Sequence, residues 1–526
     1  MDFNPESLIG NLEDDAQRHT SLLGSYRLEV LKSTLLKKYV ASSSASIQLD
    51  RDARADFIRR NLDVQNFEVP ESLIVNTLAH RLSIDLTSDW DGEVNSSYLS
   101  LYKVAARGGV GPGASVKAPD DDFLSKLFSD SISCTSEALF SFFKATLPAN
   151  WESAYKHFPQ KAVIVPGGNL STVPKDCTKN RTICIEPTLN MYFQQGIRYQ
   201  LEACLRQRYQ IDITTQQVKN RDLARKGSVD GSLATIDLSN ASDTISYKLV
   251  KRLIPPVCFQ TLDLTRSPSF VDGGKEYRMG MISTMGNAFT FPLMTLLFSA
   301  LCHTVAAFRG VRLSPDNFGV FGDDIIVPTL IAEDLLGALT HLGFCPNVNK
   351  SYTRGFFRES CGGDYFRGCD VRGIYIKRME NEADVYSAFN RLHRWSLAHG
   401  INLNSTLSYL KGLVKFRPVP RHESADAGFI VSSDILQSPK RDSNGCWYYR
   451  PCVTVPRRRN VCDRTYNPIG AKIAAIGGYV RNNSISLRPF KRKLIVVKKK
   501  TPCWDFSNDP VLLGRDLSDS WHQLLS

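Results

Sequence analysis

An α+β fold is predicted by three stretches of this 526-residue chain. Leu233-Ala234-Thr235-Ile236 reads as an apolar strand that runs through a polar turn into a helix. Phe318 to Phe321 and Ile325 to Val327 are short apolar runs on either side of Gly322-Asp323-Asp324, the pattern of a hairpin. Within the first hundred residues helical patterns prevail, with Leu28, Leu31, Leu35 and Tyr39 spaced along one face. A chain this long exceeds one ordinary core, so several subdomains are expected.

Taken in order, the helical N-terminal region is broken at Ser42-Ser43-Ser44 and Asn95-Ser96-Ser97. Arg107 to Ser115 is rich in glycine but lacks the GK[ST] ending of a phosphate loop, and Pro112 removes an amide donor. A structural turn is expected there. Lys161, Lys175, Lys179 and Arg181 follow in an extended stretch punctuated by Gly and Pro, and Arg181-Thr182-Ile183-Cys184-Ile185 alternates as a strand does. These cations can form a solvated strand face. They can equally bind phosphate, Arg181 through a bidentate fork and the lysines as point charges.

After the strand 233–236, Asp237 falls at a strand end, Ser242 is expected to cap the next helix, and Ile245, Leu249, Val250 and Leu253 keep helical spacing until Pro255-Pro256. Met279 to Phe308 carries no charge, yet Ser283, Asn287, Thr290, Ser299 and His303 lie within it. Its first part reads as a loop around Gly280 and Gly286, and the rest as a core helix, because those polar groups would be costly against lipid. His303 is expected to be a core histidine.

Gly322 supplies the positive φ that a two-residue hairpin turn needs at its first central position, so the turn would present two carboxylates. Adjacent acids repel unless a cation lies between them. A solvated acidic turn is the plainer alternative. With Asp237 at a neighbouring strand end, however, three carboxylates form a ligand set for two magnesium ions, the arrangement that clamps an attacking hydroxyl and a leaving pyrophosphate in line.

Composition agrees with a polyanionic partner: the net charge is +12 and the pI near 9.0. From Ser438 to Lys500 there are sixteen Lys or Arg against two Asp. Arg457-Arg458-Arg459, Lys491-Arg492-Lys493 and Lys498-Lys499-Lys500 are interleaved with Trp447, Tyr448, Tyr449 and Phe490, the mixture expected of a track for single-stranded RNA, although a solvated basic face would look the same. The acidic N-terminus lacks the basic and apolar regions of a secretion signal, so export is not expected. Thirteen cysteines without CxxC spacing read as reduced thiols of a cytosol, forming neither a zinc site nor a disulfide framework.

The order of these features carries a family likeness. A basic strand at Lys175 to Ile185, then Asp237 to Asp243, Ser283-Thr284-Met285-Gly286-Asn287, Phe321-Gly322-Asp323-Asp324 and Asn349-Lys350 resemble motifs F, A, B, C and D of viral RNA-dependent RNA polymerases. More narrowly, IDLSNASDTIS, MGNAFTF, FGDDIIVP and FFRESCGGDYF resemble the replicase β-subunit of the single-stranded RNA bacteriophages, the Qβ type. The likeness runs over about residues 160 to 377, with GPGAS at 111–115 outside it.

The resemblance implies a right-hand polymerase fold: a region 1–110 bridging fingers and thumb, fingers at 111–230, a palm with an antiparallel sheet flanked by helices at 231–377, and a thumb with a basic RNA-binding region at 378–526. It implies an RNA-directed RNA polymerase using two Mg2+ ions, or Mn2+, held by Asp237, Asp323 and, as an auxiliary ligand, Asp324. Lys175, Lys179, Arg181, Ser283 and Gly286 would contact the nucleotide, with Asp243 and Asn287 near its ribose. Lys350 would protonate the leaving pyrophosphate, and Cys361 to Phe366 would grip the primer end. Lys161 and the C-terminal clusters would bind RNA. Host elongation factors Tu and Ts and a ribosomal protein are the implied partners, in the cytoplasm of an infected bacterium. The residues themselves leave open a non-enzymatic RNA-binding or packaging protein and a metal-dependent nuclease.

Overall fold

Four helices open the chain in the computed structural model, which describes residues 3–19, 21–39, 45–87, 97–118, 126–127, 129, 131–147, 160–176, 178–456, 492–514 and 516–525. They are α1 (Pro5–Gln17), α2 (Leu22–Leu35), α3 (Ala45–Asn66) and α4 (Leu73–Thr87). Asn4 caps α1 by accepting from the Glu6 N–H at 2.8 Å, and Ser21 caps α2 by accepting from Gly24 at 3.1 Å. Their apolar faces go to different places. Leu8, Leu12, Leu28, Leu31 and Leu35 enter a C-terminal core with Val385, Phe389, Leu407 and Trp521. Phe57 and Val64 of α3 pack on Leu170, Cys184 and Phe270. Val75, Leu78 and Leu82 of α4 join the largest core.

Strands β1 (Ser131–Cys134) and β2 (Lys161–Ile164) pair in parallel. Strands β3 (Gly167–Pro174), β4 (Asn180–Ile185), β6 (Ser269–Asp272) and β7 (Lys275–Arg278) form one sheet in the order β4-β3-β6-β7, so residues 269–278 lie with 167–185 rather than with the rest of 231–377. The central sheet is antiparallel, β5 (Leu233–Ile236), β9 (Asp324–Pro328) and β8 (Gly319–Phe321), with β9 in the middle. Both of its faces are covered. Ile236, Val320, Ile325 and Val327 pack into the largest core, while Leu233 and Ile326 meet Leu223 and Ala224 of the helix Ile213–Asp230. Truncating a fully buried side chain such as Ile325 to Ala would cost roughly 2–5 kcal/mol.

The uncharged stretch 279–308 is a loop followed by the helix Thr290–Phe308, as its composition implies. Among the described residues this is the one helix long and apolar enough to cross a membrane, and 78% of its apolar window is buried inside the protein. Its hydroxyls bond to its own backbone: Thr295 to Phe291 O, Ser299 to Thr295 O and Thr304 to Ala300 O. The His303 ring lies edge-on between Tyr209 and Phe318, and burial pushes it down to about 4. All eleven cysteines among the described residues are free thiols.

Two local expectations need correction. Ser242 is not a helix cap. Ala241–Asp243 forms one 3₁₀ turn, and the helix begins at Tyr247 with Ser246 accepting from Leu249 N–H at 3.4 Å. The cause is pairing with a distant segment: Ile282 N–H bonds Ile245 O at 3.0 Å and Tyr247 N–H bonds Gly280 O at 2.9 Å, a bridge between Ser246 and Met281 that holds the chain extended up to Ser246. Tyr39 lies beyond the end of α2, whose buried face is Leu28, Leu31 and Leu35. The glycine-rich loop is a packed turn, with Gly109 N–H on Tyr192 O at 3.1 Å and Lys126 Nζ donating to Gly111 O at 2.7 Å.

Candidate active site

The register of the central sheet brings Asp237, directly after β5, beside the β8–β9 turn, because Ile236 pairs with Ile325 and Phe321 with Asp324. Gly322 and Asp323 are the two turn residues. Gly322 has φ +65°, its N–H donates to Thr295 Oγ1 at 3.0 Å, and an added Cβ would meet the Phe291 ring at 2.4 Å. Asp324 is the first residue of β9 rather than part of the turn tip, which corrects the expectation of two carboxylates presented together. Strand alternation turns its side chain the other way. There Oδ1 accepts from Cys361 N–H at 3.1 Å and Ser360 Oγ at 3.4 Å. Burial, reinforced by the nearby charges of Asp323 and Asp237, pushes the Asp324 carboxyl up to about 6.

Asp237 is reached from the far edge of β5 by the segment 345–352. Backbone bonds from Ser239 to Cys345 O, Asn347 to Asp237 O and Tyr352 to Thr235 O fasten that segment alongside. Asn347 Nδ2 then donates to Asp237 Oδ2 at 2.9 Å, and Lys350 Nζ stands 3.9 Å from the same oxygen. Asp237 and Asp323 line one cavity of about 660 Å³. Burial pushes the Asp323 carboxyl up and the charge of Asp237 adds to this, opposed by Arg181 and Lys175.

The cavity wall facing the carboxylates is cationic. The β3–β4 turn is shaped by Asp176, which accepts from the N–H groups of Thr178 at 2.9 Å and Lys179 at 3.0 Å, and it sets Lys175, Lys179 and Arg181 into the cavity. Burial, then the charges of Arg181 and Lys350, pulls the Lys175 ammonium below its usual range. The loop 283–287 lies against β4, with Cys184 N–H on Met285 O at 2.8 Å. Gly286, at φ +115°, approaches so closely that a Cβ would lie 2.0 Å from Cys184 O, so any larger residue would displace the loop. Asn287 Oδ1 accepts from Phe289 N–H at 3.0 Å, while its buried Nδ2 has no partner. Ser283 does not line the cavity; its hydroxyl is buried 2.9 Å from that of Thr290.

Asp243, 6% exposed, pairs with a residue that sequence reasoning missed. Arg60 Nη2 of α3 lies 3.3 Å from its Oδ2, and the Ser242 hydroxyl donates to Oδ1 at 3.1 Å. Burial pushes the Asp243 carboxyl up, and Arg60 opposes the shift. The one trace in the sequence is that Arg60 interrupts the apolar face of α3, between Phe57 and Val64 at helical spacing. Asn347, which also reaches a catalytic candidate, carried no motif signal.

Other predicted residues lie apart. Lys161 is exposed on β2 and does not line the cavity. Arg457, Arg458, Arg459 and Lys491 lie outside the described residues. Arg492 and Lys493 belong to the strand Arg492–Val496, paired with Cys452–Pro456, and Lys493 is exposed. Two of the expected stacking aromatics belong to the protein interior: Tyr449 is buried and Trp447 packs against the same core. Cys361 and Gly362, at φ +49° and +76°, make the tight turn between Phe357–Ser360 and Gly363–Phe366, as the motif implies. Among the described residues no three His, Cys, Asp or Glu side chains form a group that could hold a metal ion. Of the three predicted metal ligands, Asp237 and Asp323 line the cavity, together with Asp56 and Asp243, whereas Asp324 accepts from Cys361 N–H.

The comparisons with known proteins identify the class. Residues 114–464 match the family "RNA replicase, beta-chain", and the chain belongs to that family. It is similar to the RNA-directed RNA polymerase beta chain of Escherichia phage MS2, 42% identical over 243 residues, covering 45% of this chain and 43% of that one. It is also similar to the RNA-directed RNA polymerase subunit beta of Qbeta virus strain MX1, 33% identical over 342 residues, covering 63% of this chain and 56% of that one. The chain thus spans about half the length of the curated relatives it matches. The RNA-dependent RNA polymerase of a human picorbirnavirus aligns at 11% identity and a TM-score of 0.43, over 77% of this chain and 84% of that one.

Proposed function

We propose that this chain is an RNA-directed RNA polymerase that copies a phage RNA from ribonucleoside triphosphates. The observation that carries the reading is the single cavity in which Asp237 and Asp323, at one end of an antiparallel sheet, face Lys175, Lys179 and Arg181. Opposed carboxylates and cations at that scale suit a polyanionic substrate that needs a metal.

The donor set fits divalent cations. Asp323 is half-buried beside a second carboxylate; burial is the main cause that raises its carboxyl and the charge of Asp237 adds to it, a repulsion that a bound cation would relieve. Two Mg2+ ions, with Mn2+ able to substitute, would be held by Asp237 and Asp323, with Asp324 available only if it leaves Cys361 N–H. Bound there, such ions would supply Lewis-acid stabilisation to the attacking 3′ hydroxyl and the leaving pyrophosphate. The chain's own residues do the remainder. Arg181 and Lys175 neutralise the triphosphate, and Lys179 adds charge at the rim. Asp243 offers an acceptor and Asn287 an unpartnered buried donor to the ribose 2′ hydroxyl. Lys350, beside Asp237, supplies a proton to pyrophosphate.

In this reading residues 231–377, without the two strands 269–278, are the palm. Residues 111–230 are the fingers, 378–526 the thumb, and the first 110 residues join them. The resemblance alone supports host elongation factors Tu and Ts and a ribosomal protein as partners in the bacterial cytoplasm. The test is incorporation of labelled ribonucleotide into template-length product, with Asp323→Asn as the control. The variant should lose synthesis by orders of magnitude and keep its RNA affinity. Near-normal synthesis by the variant, or degradation of RNA without synthesis by the unsubstituted chain, would overturn the reading.

A further inference from the structure

A second and larger cavity, about 1200 Å³, opens in the C-terminal part of the chain. Lys415, Arg417, Lys440, Arg441, Arg450 and Lys498 line it, and no Asp or Glu does. All but Arg417 are exposed. How the fold treats neighbouring cations is informative. Just outside the groove, Lys499 pairs with Glu423 at 2.8 Å and Lys500 with Asp442 at 3.0 Å. Inside it, Lys415, Lys440, Arg441, Arg450 and Lys498 have no carboxylate partner among the described residues. Arg441 and Lys498 lie over aromatic rings instead, 3.7 Å from the Trp447 centroid and 4.1 Å from that of Tyr448. Arg417 is held in the wall, with Nη1 donating to Arg450 O at 3.0 Å.

Like charges gathered without counterions repel, and the arrangement gains stability when a polyanion enters. The groove also presents apolar aromatic surface. Phe416 is 39% exposed there, and Tyr448 lines the same wall. Unpaired cations along a groove with aromatic faces between them match the chemistry of an unpaired strand, whose phosphates meet the cations while its bases stack. We infer that this groove is a binding track for single-stranded RNA, separate from the catalytic cavity and built from residues 415–450 and Lys498. The choice of RNA over another polyanion rests on the polymerase reading; the unpaired charge does not.

The test is equilibrium binding of a fluorescent, unstructured oligouridylate to the full chain between 50 and 300 mM NaCl. It compares the unsubstituted protein with the triple variant Lys415→Gln, Lys440→Gln, Lys498→Gln. Each lost phosphate contact should flatten the log–log salt dependence by about 0.7, so three should flatten it by about 2 and weaken binding at low salt. A matched variant, Lys144→Gln, Lys219→Gln, Lys251→Gln, removes the same charge from exposed sites elsewhere and should leave the slope near that of the unsubstituted chain. Arginine at the three groove positions should restore the slope. An unchanged slope in the groove variant, or an equal loss in the matched one, would overturn the inference. So would weakened binding of polyglutamate with RNA binding intact, which would assign the groove to an acidic protein. Nucleotide incorporation by the unsubstituted chain is scored separately; its absence would end the polymerase reading and leave the binding result standing.

Discussion

Replacing Arg60 by Leu should damage the site from 183 residues away, and the damage should depend on pH. Asp243 is 6% exposed; its direct partners among the described residues are Arg60 at 3.3 Å and the Ser242 hydroxyl at 3.1 Å, with the charge of Arg181 a smaller contribution. Removing the guanidinium leaves a buried carboxylate with one neutral donor, a loss of roughly 3–5 kcal/mol for a broken buried pair at neutral pH. The carboxyl can escape by keeping its proton. Burial already pushes it above its ordinary value and Arg60 opposes this, so the variant's native carboxyl rises further. Over the window above the unfolded carboxyl's range, native protein then holds a proton that the unfolded chain has released, and native stability falls as pH rises. The deficit relative to the unsubstituted chain should therefore be small near pH 5 and large near pH 8. Urea midpoints at the two pH values measure it. A second readout is the ratio of kcat/KM for ATP and dATP, which should shrink because the group proposed to meet the 2′ hydroxyl is no longer held as a carboxylate. An unchanged midpoint at both pH values, or a greater deficit at pH 5, would refute the reasoning.

Two further outcomes follow from particular contacts. Gly286→Ala places a Cβ 2.0 Å from Cys184 O at a φ of +115°, so it should cost about 2–6 kcal/mol from strain and overlap together and reduce nucleotide incorporation. Gly337→Ala, in the open helix Thr329–His341, should be neutral or stabilising, and equal melting temperatures for the two variants would show the contact to be irrelevant. His393 is buried between the rings of Phe389 and Trp521, with Nε2 2.8 Å from Ser520 Oγ, and burial pushes it down to about 4. Its contribution is complete above the unfolded value near 6.5 and is lost as pH falls through about 4, a loss of about 3 kcal/mol that His393→Leu should remove from the acid side of a stability profile.

What could be read from the sequence was whatever the chain decides locally. Gly322 announces its turn because positive φ needs glycine, and the alternation around residues 233–236 and 325–327 announces strands. Asp237 and Asp323 follow from those two facts. Asp324 was misread because the face of a strand on which a carboxylate falls depends on register with its partners. The start of the helix at Tyr247 moved for a similar reason, as residues 280–282 claim 245–247 for pairing. Arg60 and Asn347 were invisible because they reach Asp243 and Asp237 from 183 and 110 residues away. In the basic C-terminal region the sequence counted charges but could not say which were answered. Lys499 and Lys500 are, and Lys498 is not.

The buried carboxylate of Asp15 has a bearing on the order in which the protein can be made. It accepts from Ser405 N–H, Thr406 N–H and Thr406 Oγ1, at 2.9, 2.9 and 2.7 Å. Helix α1 therefore waits for partners made some 390 residues later, about 20–80 s at usual bacterial rates of synthesis. During that interval the apolar faces of α1 and α2 have each other but lack the C-terminal core that buries them in the finished fold. A chain interrupted before residue 406 leaves α1 without the carboxylate's partners, so translation through that point becomes a precondition for closing this core.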